Sequence, residues 1–70
     1  MKIVIIGGGK VGSKLSEELS NESHDVTVIE QDIDVINRIN SNQDVACING
    51  NAINREILKE AGVEEADLLI

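Results

Sequence analysis

The sequence predicts an α/β fold built on one parallel sheet, and three observations carry that prediction. Short β-branched or apolar runs recur at "KIVII", "DVTVIE", "DVACI" and "ADLLI". Segments of about ten residues with helical spacing separate them. The hydrophobic fraction is 41%, with eleven Ile, seven Val and no aromatic residue, a mix suited to buried strands. Strands alternating with helices fold as βαβ units with right-handed crossovers. The expected strand order is 3-2-1-4, the first half of a doubly wound sheet plus the strand that begins its second half.

Each element has its own signal. Residues 2–6 form a short apolar strand that stops at glycine. Residues 10–22 place Val11, Leu15 and Leu19 four apart among Lys14, Glu17, Glu18 and Glu22, which predicts a helix with a narrow apolar stripe. Residues 25–30 are the second strand. Asp32 is suited to cap a second helix carrying Val35, Ile36 and Ile39, which breaks up in "NSNQ". Residues 44–48 read as a third strand. A third helix over about 53–61 presents Ile53, Ile57, Leu58 and Ala61, with Gly62 placed for a left-handed C-terminal cap. Residues 66–70 read as the fourth strand. The first two helices cover one face of this sheet and the third begins to cover the other, so the second face is thinly covered. Residues 1–70 therefore read as one domain, the N-terminal part of a longer one. The exposed side is expected to meet the rest of the fold or a second copy of the chain.

Composition narrows the function. A chain of 70 residues buries only roughly 60% of its unfolded surface. A formal net charge of −7 argues against nucleic acid, whose phosphates are neutralised by Lys and Arg, and there is no aromatic platform for stacking bases. One Cys and one His make neither a disulfide nor a four-ligand zinc site, and they fit a reducing, cytosolic setting. No run is long and apolar enough to insert in a bilayer, and the first apolar run stops at Ile6.

The motif that carries chemistry is "IVIIGGGKVGSK". Gly7, Gly9 and Gly12 match G-x-G-x-x-G directly after a strand and at the start of a helix, which makes the fold Rossmann-like. Gly7 permits the tight turn, Gly9 lets backbone approach a pyrophosphate, and Gly12 lets the helix pack on the sheet. The helix N-terminus offers unpaired N–H groups and a positive dipole end. Glu30 ends the second strand about 18 residues beyond Gly12, where an acid accepts hydrogen bonds from ribose hydroxyls. A P-loop is the rival for these residues, but Ser13 and Lys14 stand in exchanged order for it. Lys10 either aims its charge at phosphates or is solvated in the first turn. His24, in a polar turn without a partner acid, reads as structural, and Cys47 as a small buried residue. Glu64, Glu65 and Asp67 read as a loop surface. No catalytic triad, paired-His motif or metal-spaced cluster is present in the sequence.

The whole chain resembles the N-terminal nucleotide-binding domain of Trk-type potassium-uptake regulatory proteins, the regulator-of-potassium-conductance family. The resemblance lies in "KIVIIGGGKVGSKLSEELS", "HDVTVIEQD", "NGNA" and "LKEAGVEEADLLI". It implies that the backbone of Gly9, Lys10, Val11 and Gly12 holds a diphosphate, that Glu30 and Gln31 hold the ribose, and that Asn51 and Ala52 border the adenine. It further implies NAD(H), or alternatively ADP or ATP, as ligand, and no enzymatic turnover. The implied partner is a membrane potassium transporter subunit, regulated by a homo-oligomer that lies in the cytoplasm against the inner face of the membrane. Two residues depart from the family pattern: Ile53 stands where a small hydroxyl residue is common, and Ser23 where Gly often precedes the His. The alternative function is the cofactor half of an NAD-dependent oxidoreductase whose catalytic residues lie elsewhere.

Overall fold

The computed structural model describes residues 1–70. In chain order the elements are β1 (Lys2–Ile6), α1 (Lys10–Asn21), β2 (Asp25–Glu30), α2 (Ile33–Asn42), β3 (Ala46–Asn49), α3 (Arg55–Glu60), a short 3-10 turn (Val63–Glu65) and β4 (Leu68–Leu69). The four strands form one sheet in the order β3-β2-β1-β4, every pair parallel, as the alternation of elements predicts. Register pairs Ile5 with Val28 and Val28 with Cys47, so the β-branched residues of neighbouring strands stack across the sheet.

Strand alternation sends successive side chains to opposite faces, and each face has its own apolar cluster. Ile3, Ile5, Val26 and Val28 meet Ile39 on one face, with Leu15 and Leu19 of α1 and Val35 of α2 packed against them. Val4, Ile29 and Ala61 form the smaller cluster on the other face, joined by Ile57 and Leu58 of α3. Full burial of one such side chain contributes roughly 1.5–3 kcal/mol, so the first cluster is the main source of stability.

Several boundaries differ from expectation for identifiable reasons. Of the expected Val11–Leu15–Leu19 line on α1, Leu15 and Leu19 pack on the sheet, but Val11 is 81% exposed and Ser16 is fully buried. Small residues decide this: a Cβ on Gly12 would stand 2.1 Å from Gly7 O, so α1 lies directly against the glycine turn along its Gly12–Ser16 side and Val11 swings outward. Ser16 is satisfied there, its hydroxyl in contact with Gln43 Oε1 and Ser13 O, while Gln43 Nε2 donates to Ser13 O at 2.9 Å. The same Gln43 ends α2, which continues through Asn40–Asn42 instead of fraying, because tertiary contacts outweigh the weak helix propensity of "NSN". Asp32 caps α2 as expected, accepting from Asp34 N at 2.9 Å. α3 starts late, at Arg55: Asn54 caps it by accepting from Glu56 N, which leaves Ile53 before the helix and 89% exposed. β3 begins at Ala46, not Asp44. β4 is short, although Ile70 N donates to Val4 O and Ile6 N to Ile70 O, so the ladder with β1 runs on to Ile70. Gly62 takes the left-handed conformation after α3, with φ +80°. Ser23 also has a positive φ, +69°, which is the physical reason Gly is favoured at that corner.

Candidate nucleotide-binding site

The site lies at the carboxyl ends of β1, β2 and β3, where open α/β sheets place their ligands. β1 leaves the sheet at Gly7, whose N–H still donates to Ile29 O at 2.8 Å while its φ of +96° turns the chain into the left-handed region. Gly8 is buried beneath α2: a Cβ there would come within 2.7 Å of Ile39 Cδ1. Gly9 is the N-cap of α1, with extended backbone, no side-chain cap and nothing within 4 Å of where a Cβ would stand. Ser13 N is the first of the α1 N–H groups to find a backbone acceptor, Gly9 O at 2.7 Å, so the opening turn of the helix presents donors toward open space. The three motif glycines thus do three different things. Gly7 makes the turn, Gly12 admits the helix, and Gly9 keeps a space clear.

Glu30 faces this turn from the end of β2. Its Oε2 accepts from Asp32 N and its Oε1 from Gly8 N, both at 2.8 Å, and these two bonds hold the carboxyl below the usual carboxylate range despite partial burial. An ionised carboxylate has about four acceptor positions, so two remain for outside donors. A vicinal diol supplies that number.

A cleft of about 330 Å³ opens beside Glu30, within the range of small-molecule sites, about 300–1,000 Å³. Ile6 and Ile29 contribute apolar wall, Glu30 and Gln31 a polar edge, and Gly50, Asn51, Ala52 and Ile53 the rest of the lining. Asn51 shapes that part by accepting from Ile53 N at 2.9 Å through its side chain and from Asn54 N at 2.9 Å through its carbonyl. The structure therefore brings Gly7, Glu30, Gln31, Asn51 and Ala52 together around one cleft, with Gly9 and Gly12 at the adjoining helix start. The side chains of Lys10 and Val11 belong elsewhere. They line a shallow hollow along α1 with Lys14, Leu15 and Glu18.

Ile6, Ile29, Gly50 and Ile53 were not among the expected site residues. The rule that ligands sit beyond the strand ends would have found Ile6 and Ile29, which close β1 and nearly close β2. Gly50 carries a packing signal only, since a Cβ there would stand 2.7 Å from Ile57 Cδ1. His24 lies at the other end of the sheet, its Nδ1 3.3 Å from the N-terminal amine. Cys47 is half-buried in β3, and burial pushes its thiol up, away from a reactive thiolate. No group of His, Cys, Asp and Glu is arranged to hold a metal ion. No helix is long and apolar enough to cross a membrane.

A parallel sheet whose first strand ends in a three-glycine turn, facing a backbone-anchored carboxylate at the end of the second, defines a Rossmann-type domain. The chain belongs to the TrkA-N domain family, whose model matches residues 3–70. It is 37% identical over 70 residues to the Trk system potassium uptake protein TrkA of Vibrio alginolyticus, and 47% identical over 70 residues to the TrkA homolog of Archaeoglobus fulgidus. Both alignments take in all of this chain but only 15% and 16% of the relatives' lengths. Among solved structures, the Kef CTD of Shewanella denitrificans in AMP bound form superposes with a TM-score of 0.77 over 99% of this chain and 40% of that one. Identity there is 22%, so this likeness speaks for the fold.

Proposed function

We propose that the domain binds an adenine nucleotide, NAD(H) in preference, with ADP and ATP as competitors sharing the adenosine half, and that occupancy regulates a membrane potassium transporter. The observation that carries the binding proposal is the Glu30 carboxylate, fixed by two backbone N–H groups beside a glycine turn with open space at Gly9. The opening N–H groups of α1 would hold the diphosphate, Glu30 and Gln31 the ribose, and Asn51 and Ala52 the edge of the adenine. The bound group would supply no chemistry: the role is that of an effector. It shifts the balance between conformations by the difference in its affinity for them. Membership in the TrkA-N family and the names of the relatives support the link to potassium uptake. In this proposal residues 1–70 are the N-terminal part of a larger regulatory subunit. That subunit is a non-enzymatic homo-oligomer at the cytoplasmic face of the membrane. Leu68, Leu69 and Ile70, each more than 40% exposed, favour a covered β4 side in that assembly.

Cofactor choice tests the binding proposal. Glu30 repels a 2′-phosphate, and the nearest following basic residue is Arg38, out on α2. Calorimetry is expected to give NADH tighter than NADPH, and Glu30→Ala should weaken NADH about tenfold to a hundredfold by removing hydrogen bonds worth roughly 1–3 kcal/mol. Tighter NADPH, or unchanged NADH affinity in folded Glu30→Ala, would remove Glu30 from the site.

A further inference from the structure

We infer that Asn49 is a positioning residue for the Glu30 carboxylate, and so for discrimination of the ribose; this rests on the nucleotide-binding proposal above. Asn49 closes β3 directly opposite Glu30 in the register. Its Nδ2 donates to two consecutive carbonyls of the neighbouring strand end, Gln31 O at 2.9 Å and Glu30 O at 3.1 Å. The amide NH2 carries two N–H donors and so satisfies two carbonyl oxygens at once, whereas a carboxylate in its place would face two like dipoles. Gly50 N adds a third donor, to Glu30 O at 3.0 Å. Gln31 is followed by Asp32, whose N–H donates to Glu30 Oε2 at 2.8 Å. The three-residue turn from Glu30 to Asp32 is thereby pinned at its carbonyls by β3, and the N–H that orients the carboxylate is fixed as a result.

Strand pairing alone does not require this arrangement. The β2 ladder ends at Glu30, and an exposed residue at the end of an edge strand is free to be almost any polar type. Here the amide reaches past the ladder to hold a turn whose other function is to present Glu30. Removing it leaves the strand in place and loosens the carboxylate.

The test compares ADP with 2′,3′-dideoxy-ADP by calorimetry in the full chain and in Asn49→Ala, with Glu30→Ala as reference. The wild-type protein is expected to prefer ADP by tenfold or more. Asn49→Ala should reduce that preference to about threefold or less, while affinity for the dideoxy nucleotide stays within about twofold. Asn49→Thr, which favours the strand and loses the two-carbonyl reach, carries the same expectation if the Ala variant does not fold. An undiminished preference, or equal weakening of both nucleotides, would overturn the role of Asn49 and leave Glu30 as the ribose ligand. A wild-type protein without preference would overturn the ribose role of Glu30 itself, and that of Asn49 with it.

Discussion

The packed face between the sheet and helices α1 and α2 contrasts with the rim at the carboxyl ends of the strands. On the packed face every group has a partner inside the chain. Ile3, Ile5, Val28 and Ile39 are at most 1% exposed, Ser16 is buried with its hydroxyl bonded, and no buried side-chain polar atom lacks a hydrogen bond. At the rim the reverse holds: Ile6 and Ile53 are 46% and 89% exposed, the start of α1 has no side-chain cap, and Glu30 has acceptor positions to spare. The difference separates stability from recognition. A substitution on the packed face should cost folding and spare ligand affinity in whatever remains folded, and one at the rim should do the opposite. Glycine obeys the same division, since Gly8 and Gly12 have no room for a Cβ while Gly9 has nothing near it.

The largest expected effect is at the rim. Gly9→Val puts a branched side chain into the open space where the proposed function seats a diphosphate, and nucleotide binding should fall by more than about a hundredfold. Its folding cost should be at most about 1 kcal/mol, from a poorer N-cap. Calorimetry beside urea denaturation separates the two. Near-native nucleotide affinity in this variant would make the glycine run a packing device and dissolve the contrast.

The converse substitution is Ile3→Ala, deep in the packed face and at the end of β1 away from the cleft. Deletion of a buried Ile side chain costs about 2–5 kcal/mol, a large share of the stability of a chain this size. The unfolding midpoint in urea should drop accordingly, while the nucleotide affinity of the folded fraction stays within about twofold. Ile53→Ser, on the rim, should change the unfolding free energy from the same titration by no more than about 0.5 kcal/mol. Equal losses for the two would mean that the rim is packed in solution.

A smaller effect sharpens the boundary between the regions, because Glu30 belongs partly to both. Its folded pKa is depressed, first by Asp32 N and then by Gly8 N. The stabilisation it contributes is thus complete above the unfolded value of about 4.3 and disappears as pH falls through the lower folded value. Urea midpoints measured from pH 6 to pH 3 should fall more steeply for the wild-type protein than for Glu30→Gln, which has no carboxylate to protonate. Parallel curves would mean that the two backbone bonds contribute nothing to folding. Nucleotide affinity should decline over the same range, since a protonated Glu30 loses part of its acceptor capacity.

Much of this was legible in the chain itself. The order of elements, the parallel sheet and its 3-2-1-4 arrangement follow from β-branched runs alternating with helical spacing, because chirality leaves few ways to connect such units. The roles of Gly7 and Gly12 and the placement of Glu30 at a strand end followed from motif and spacing, since backbone conformation is a local property. Asp32 and Gly62 were readable as caps for the same reason.

Tertiary structure alone decided where the inner side of α1 begins, where α3 starts and which polar atoms meet around Glu30. Val11 looked like core because hydrophobicity was the only available guide, but the closest contact of α1 is made by Gly12 and Ser16, whose small size matters only once the Gly7 carbonyl is above them. Ile53 looked like the first apolar residue of α3 until Asn54 took the cap and left it on the rim. The two hydrogen bonds that Asn49 Nδ2 donates to the carbonyls of Glu30 and Gln31 join residues about 18 positions apart, and nothing in either segment announces the other. Local propensity and periodicity describe a chain in relation to itself over a few residues. Which polar atoms meet depends on how two strands are registered, and that is fixed only when the sheet assembles.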